Sequence, residues 1–131
     1  MFSGIDLPGF TAPLCLGVAL VATAVLIYES LIPTGPSASI GHFDKIMHFV
    51  SYFTLTGFWA LAFRGRHLTA TVAAMALMGL GLEVAQHVME LGRTGSIWDA
   101  SANFAGCVLA AFTVNVLIEM QSCDANATQK I

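Results

Sequence analysis

Residues 79–106, "GLGLEVAQHVMELGRTGSIWDASANFAG", set Glu83, Gln86 and His87 inside one apolar segment. They then bring Glu90, Arg93, Asp99 and Asn103 before the next apolar segment has run two turns. The surrounding chain has few such residues. Its 131 residues are 56% hydrophobic and only 10% charged, with a mean hydropathy of +0.77, whereas soluble domains carry about 25% charged residues. The stretch therefore reads as the meeting point of two membrane segments, carrying a concentration of polar groups that needs a reason.

The rest of the chain supplies the other segments. Thr11 to Tyr28, Ile46 to Phe63, His67 to Leu82 and Ala100 to Ile118 contain no charged residue, and apolar character continues past Glu83 to Met89. A spanning helix needs roughly 20 mainly apolar residues. The expectation is an all-α integral membrane bundle of four transmembrane helices at about 11–31, 45–63, 68–90 and 100–119, forming a single domain over 1–131. The first segment has no Lys or Arg ahead of it and no Ala-x-Ala site before Pro33, so it reads as a retained helix rather than a cleaved signal.

"PTGPSASIG" (Pro33–Gly41), "RGRH" (Arg64–His67) and "ELGRTGSIWD" (Glu90–Asp99) read as connections, and "CDANATQKI" (Cys123–Ile131) as a short mobile tail. On a tail placed in the cytoplasm, the sequon "NAT" at Asn126–Thr128 reads as a chance match. Cys15, Cys107 and Cys123 show no disulfide or metal spacing. The net charge of −3 and the scattered basic residues exclude a nucleic-acid partner.

Four passes place both termini and the 64–67 turn on one side, with Arg64, Arg66 and Lys130. The other side carries Lys45 and Arg93. The paired arginines in a tight turn assign the first side to the cytoplasm. The start of the second helix, the end of the third and the start of the fourth then share the opposite face. Asp44, His48 and Tyr52 step by four along one helical face. Glu83, Gln86, His87 and Glu90 fall at i, i+3, i+4 and i+7, and Asp99 and Asn103 at i, i+4 with Gly106 three further on. Asp44, Lys45, Glu83, Glu90, Arg93 and Asp99, six of the few charged residues in the chain, thus converge from three helices. Burying a charge in a bilayer costs about 2.5–3.5 kcal/mol on the lenient insertion scale, so these groups should face one another. Gly79, Gly81, Ala102, Gly106 and Ala110 are small enough to let the helices close around them.

"DKIMHFVSYFTL" followed by "LEVAQHVMELGRTGSIWDASANFAG" resembles the VanZ-like family of small bacterial membrane proteins. The likeness runs through Asp-Lys-x-x-His (Asp44, Lys45, His48), Glu-x-x-Gln (Glu83, Gln86), Arg93, Asp99 and Asn-x-x-Gly (Asn103, Gly106), and covers roughly residues 40–118. Ala110 stands where many members have a second glycine, and His87 lies outside the pattern. The resemblance implies a link to teicoplanin resistance, the property of the family's namesake, and it implies no defined biochemical activity.

Two functional readings follow. In the first, an extracytoplasmic-facing polar pocket binds or modifies an envelope lipid or lipid-linked cell-wall component, lowering susceptibility to lipoglycopeptides such as teicoplanin, and needs no cofactor. Asp44, Lys45, Gln86, Arg93, Asn103 and Tyr52 would hold the ligand, with Arg93 suited to phosphate or carboxylate, Tyr52 and Trp98 at head-group depth, and loop 33–45 as a lid. Asp99 would fix Arg93, and Asn103 would orient the group between them.

In the second, Glu83, Asp99 and His48 perform metal- or acid/base-dependent hydrolysis or transfer at a lipid head group. Asp44, His48, Glu83 and His87 are then the candidate ligands of a divalent metal, imidazole and carboxylate suiting Zn or Mn. Ser51, Ser96 and Ser101 fit helix or cap positions better than nucleophiles, and no established hydrolase motif is present. A structural polar network is the third reading, with Asn115 expected to bond a neighbouring helix. A through-path for transport is disfavoured, because polar groups gather at one end only.

Overall fold

The structure, a computed structural model, describes residues 4–32, 41–89 and 96–128. Glu90, Arg93, Lys130 and residues 33–40 of the proposed 33–45 lid lie outside the described residues, while 41–45, expected as loop, form the first turn of the second helix. The chain forms four helices, α1 (Thr11–Leu31), α2 (Gly41–Ala62), α3 (Leu68–Met89) and α4 (Ile97–Thr128), with no strand among the described residues. Three of them are long and apolar enough to cross a membrane: α1, with mean hydropathy 2.1, and α3 and α4, each at 1.7. The second helix is the exception because it carries Asp44, Lys45, His48, Ser51, Tyr52, Thr54 and Thr56.

That composition matches its place. α2 packs most extensively on α4 and next on α1, whereas α3 leans mainly on α4 and only thinly on α1 and α2. A helix so little exposed to its surroundings can carry these polar residues along its length. Outward faces of α1, α3 and α4 are lined by Leu20, Val21, Val25, Leu77, Leu80, Val84, Val108 and Phe112, all exposed. So much exposed apolar surface is foreign to a soluble monomer and suits lipid contact.

Between helices in lipid there is no water to exclude, so association depends on close packing and small residues. Buried Ala12, Cys15 and Ala19 form one stripe on α1, and Ala60 and Ala110 are buried on α2 and α4. Gly106 sets the tightest approach: a Cβ there would collide with the Phe49 carbonyl oxygen and lie 2.9 Å from the Phe53 amide nitrogen. Gly79 makes room for the Tyr52 ring, 3.0 Å from where its Cβ would be. Gly81 does not share this role, since it is exposed and nothing lies within 4 Å of an added Cβ.

The end of the bundle away from the polar stretch is closed by backbone. Arg64 (φ 55°) and Gly65 (φ 69°) turn the chain from α2 to α3 in left-handed conformations. Gly65 N–H donates to the Ala60 carbonyl at 2.8 Å. The Arg64 carbonyl accepts from Ile5 N–H at 2.9 Å, and Ile5 is buried. Gln121 accepts from Asp6 N–H at 2.8 Å and donates to the Asp6 carbonyl at 3.2 Å.

Two expectations are corrected on α4. The helix continues to Thr128 rather than fading near 119, so Cys123 to Thr128 are helical, not a mobile tail. Residues 119–128 contain neither Pro nor Gly, and Gln121 is anchored to the N-terminal segment. Asn115 donates to Glu119 of its own helix at 2.8 Å instead of to a neighbouring helix.

Candidate functional site

At the other end, α2 begins, α3 ends and α4 begins. Buried there are Glu83 and Gln86 of α3 and Asp99 and Asn103 of α4, with relative exposures of 7%, 5%, 6% and 2%. Asp44, Lys45 and His48 of α2 are partly buried beside them.

Ser96 starts α4. Its hydroxyl accepts from Trp98 N–H at 3.2 Å, and its carbonyl accepts from Asp99 N–H and Ala100 N–H, both at 3.0 Å. It is thus the N-cap residue. Ser96's own N–H donates to Glu83 Oε2 at 2.9 Å. A carboxylate from α3 therefore does for this helix what a glutamate two or three residues into the helix does in a capping box, and it lies where the helix dipole favours negative charge.

The other oxygen, Glu83 Oε1, lies 3.7 Å from His48 Nδ1. Nδ1 also lies 3.0 Å from Asn103 Oδ1. An amide oxygen only accepts, so Nδ1 carries a proton toward Asn103, and the carboxylate nearby favours the same arrangement. In the neutral ring, Nε2 then holds the free lone pair. Lys45 Nζ donates to Asp99 Oδ1 at 3.2 Å, with the lysine side chain over a third exposed and the aspartate almost wholly buried. Gln86 Nε2 donates to the Ser30 carbonyl at 3.1 Å, one of the last α1 carbonyls, which has no partner within its own helix.

One donor atom from each of Asp44, His48 and Asp99 lies within 4.8 Å of the others. These are the described residues that could jointly hold a metal ion. The set proposed from sequence, Asp44, His48, Glu83 and His87, is not the one brought together. His87 is exposed, one position past buried Gln86 and turned off the inward face, while Glu83 is engaged by the α4 N-terminus. Asp99 is joined to Lys45; Arg93, its expected partner, is outside the described residues. Tyr52 is buried in the apolar core with Leu55, Met75 and Cys107. Trp98 is exposed beside the site.

Sequence reasoning brought Asp44, Lys45, His48, Glu83, Gln86, Asp99 and Asn103 to one end, and the structure gathers them there. It missed two backbone participants, the Ser30 carbonyl and the Ser96 N–H. The first leaves no trace in side-chain identity. The second had one, since Ser96-x-x-Asp99 ahead of an apolar run is a helix-start signature.

The arrangement offers three carboxylates, one ammonium, an imidazole of defined tautomer and two amides, at the mouth of an otherwise apolar bundle. No curated protein and no solved structure matches the chain. The family model described as VanZ/LLP1 matches residues 14–118, from α1 to the body of α4 and across every residue of the site. The chain is a member of the VanZ/LLP1 family.

Proposed function

We propose that this is a four-pass protein of the cytoplasmic membrane whose polar site receives the head group of an envelope lipid or lipid-linked cell-wall component. The observation that carries this reading is the burial of Glu83, Gln86, Asp99 and Asn103 together at one end of the bundle. A charge placed at bilayer depth costs about 2.5–3.5 kcal/mol, whereas an interhelical polar contact contributes about 0.6 kcal/mol. Glue alone is a poor return on that arrangement.

The reading takes α2 as the fourth pass, its Asp44, Lys45 and His48 turned toward α4. The turn holding Arg64 and Arg66 then faces the cytoplasm with both termini, and the site opens on the extracytoplasmic side. Exposed Trp98 and Phe43 flank it at the depth where aromatic residues meet head groups.

A second reading, acid/base chemistry on the same head group, is favoured by one observation: the His48 ring is pinned through Nδ1 by Asn103, which leaves Nε2 able to accept a proton. Lowered susceptibility to lipoglycopeptides is a further proposal and rests on the family alone.

The test is native mass spectrometry of the detergent-solubilised protein titrated with phosphatidylglycerol, cardiolipin and undecaprenyl phosphate, wild type beside Asn103→Leu. Selective retention of one of these lipids, lost in the variant while the fold persists, is expected. Equal retention of all three by both proteins contradicts the reading.

A further inference from the structure

We infer that Asp44, His48 and Asp99 bind a divalent transition cation, Zn2+ or Mn2+, which presents its open coordination positions to the incoming head group. This deepens the head-group reading and rests on it for the identity of what the cation meets; binding of the cation itself does not.

Geometry comes first. Two carboxylates and one imidazole, drawn from the ends of α2 and α4, bring one donor atom each, a ring nitrogen in the case of His48, within 4.8 Å of one another. Donors around Zn2+ with bonds of about 2.1 Å lie about 3.4 Å apart when tetrahedral, so side-chain movements of roughly an ångström close the set. Asp44 and His48 are one helical turn apart on the same face of α2. Gly106 holds α4 against α2 at Phe49 and Phe53, fixing the spacing between the two contributing helices just below the site.

The second observation is the orientation of His48. Metal-bound histidines characteristically engage their other ring nitrogen with an oxygen acceptor, which fixes tautomer and ring plane. Here Asn103 Oδ1, almost completely buried, takes Nδ1–H at 3.0 Å, and Glu83 Oε1 stands behind it at 3.7 Å. The nitrogen left to ligate is Nε2.

The third is charge. Among the described residues of the site, Asp44, Glu83 and Asp99 face one ammonium, Lys45, which already lies on an oxygen of Asp99. The described carboxylates outnumber the described ammonium, and this local surplus of negative charge favours a cation. It also repels a phosphate or carboxylate head group unless a positive centre lies between them. A cation held by two carboxylates and an imidazole, with positions still open, meets both requirements, and imidazole with carboxylate suits Zn2+ or Mn2+ over the harder Mg2+. Lys45 is then a competitor for Asp99, so its removal should strengthen the metal site.

The purified protein in detergent, with no lipid added, is titrated with Mn2+ followed by the electron paramagnetic resonance of the free ion, and with Zn2+ by calorimetry. The expected result is one saturable site, weakened at least about tenfold in Asp44→Asn and His48→Gln and unchanged in His87→Ala. Lys45→Met should bind more tightly than wild type and regain thermal stability on adding the ion, a response that loss of a structural ion pair does not produce. If the ligand variants fail to fold, Lys45→Met and imidazole nitrogen coupling in the pulsed spectrum of wild type with bound Mn2+ decide the matter. No saturable binding by folded wild type, binding unaffected by Asp44→Asn and His48→Gln, or a Lys45→Met site no tighter than wild type overturns the inference. Because lipid is absent, failure here leaves the head-group reading to its own titration.

Discussion

The two ends of this bundle solve the same problem in opposite ways. At the 64–66 turn, helices and the N-terminal segment are joined by backbone hydrogen bonds, a left-handed glycine and the exposed amide of Gln121. The charges there, Asp6 and Arg66, are exposed, and Arg64 is only partly covered. At the far end the helices meet over buried Glu83, Gln86, Asp99 and Asn103. The first end fastens its helices with no fully buried charge, the half-buried Arg64 guanidinium donating to the Leu7 carbonyl at 3.3 Å. The buried polar residues at the second join helices too, but they do so with buried charge, and that contrast supports the proposed ligand site.

Substitutions can break that contrast, and their expected effects form a series. The largest lies below the polar end, at the α2–α4 crossing: Gly106→Ala drives a methyl into the Phe49 carbonyl and the Phe53 amide, both backbone and unable to yield. Overpacking of this kind costs about 3 kcal/mol; thermal unfolding in detergent should show it, with Gly81→Ala, open on all sides, unchanged or slightly more stable.

Next comes Glu83→Ala, which leaves the Ser96 N–H without its acceptor and uncaps α4, at about 2 kcal/mol. Glu83→Gln keeps an acceptor oxygen and should restore most of that stability by the same measurement.

At the plain end, Gly65→Ala forces a methyl-bearing residue to φ 69° and against Ile118, costing about 1–2 kcal/mol. The smallest effect belongs to Gln121→Ala. Its two hydrogen bonds to Asp6 are exposed, so about 0.5 kcal/mol is at stake, seen as faster amide exchange at Ile5 and Asp6 rather than as a lower melting point.

How much of this was legible in the sequence follows the same division. Helix positions came from uncharged windows, and the gathering of Asp44, His48, Glu83, Asp99 and Asn103 came from helical spacing plus the up-and-down order of short connections. Both are properties of side-chain pattern. Burial of Tyr52 was not visible, because an amphipathic ring reads equally well as an interfacial residue until the Gly79 opposite it is known to make room. His87 misled for a related reason: i+4 from Glu83 shares a broad helical face, but only a narrow strip of α3 is buried at this end, which includes Glu83 and Gln86 and stops short of His87. The persistence of α4 to Thr128 was hidden because composition marks where a helix stops being apolar, not where it stops being helical.

The most direct test of the central claim, that the polar end is a ligand site and not a fastening, pairs thermal unfolding in detergent with lipid retention for wild type, Glu83→Gln and Asp99→Asn. Both substitutions keep shape and remove charge. The account predicts that both variants melt near or above wild type while losing the retained lipid. Variants that melt many degrees early, with lipid retention falling only in step with the folded fraction, would contradict it.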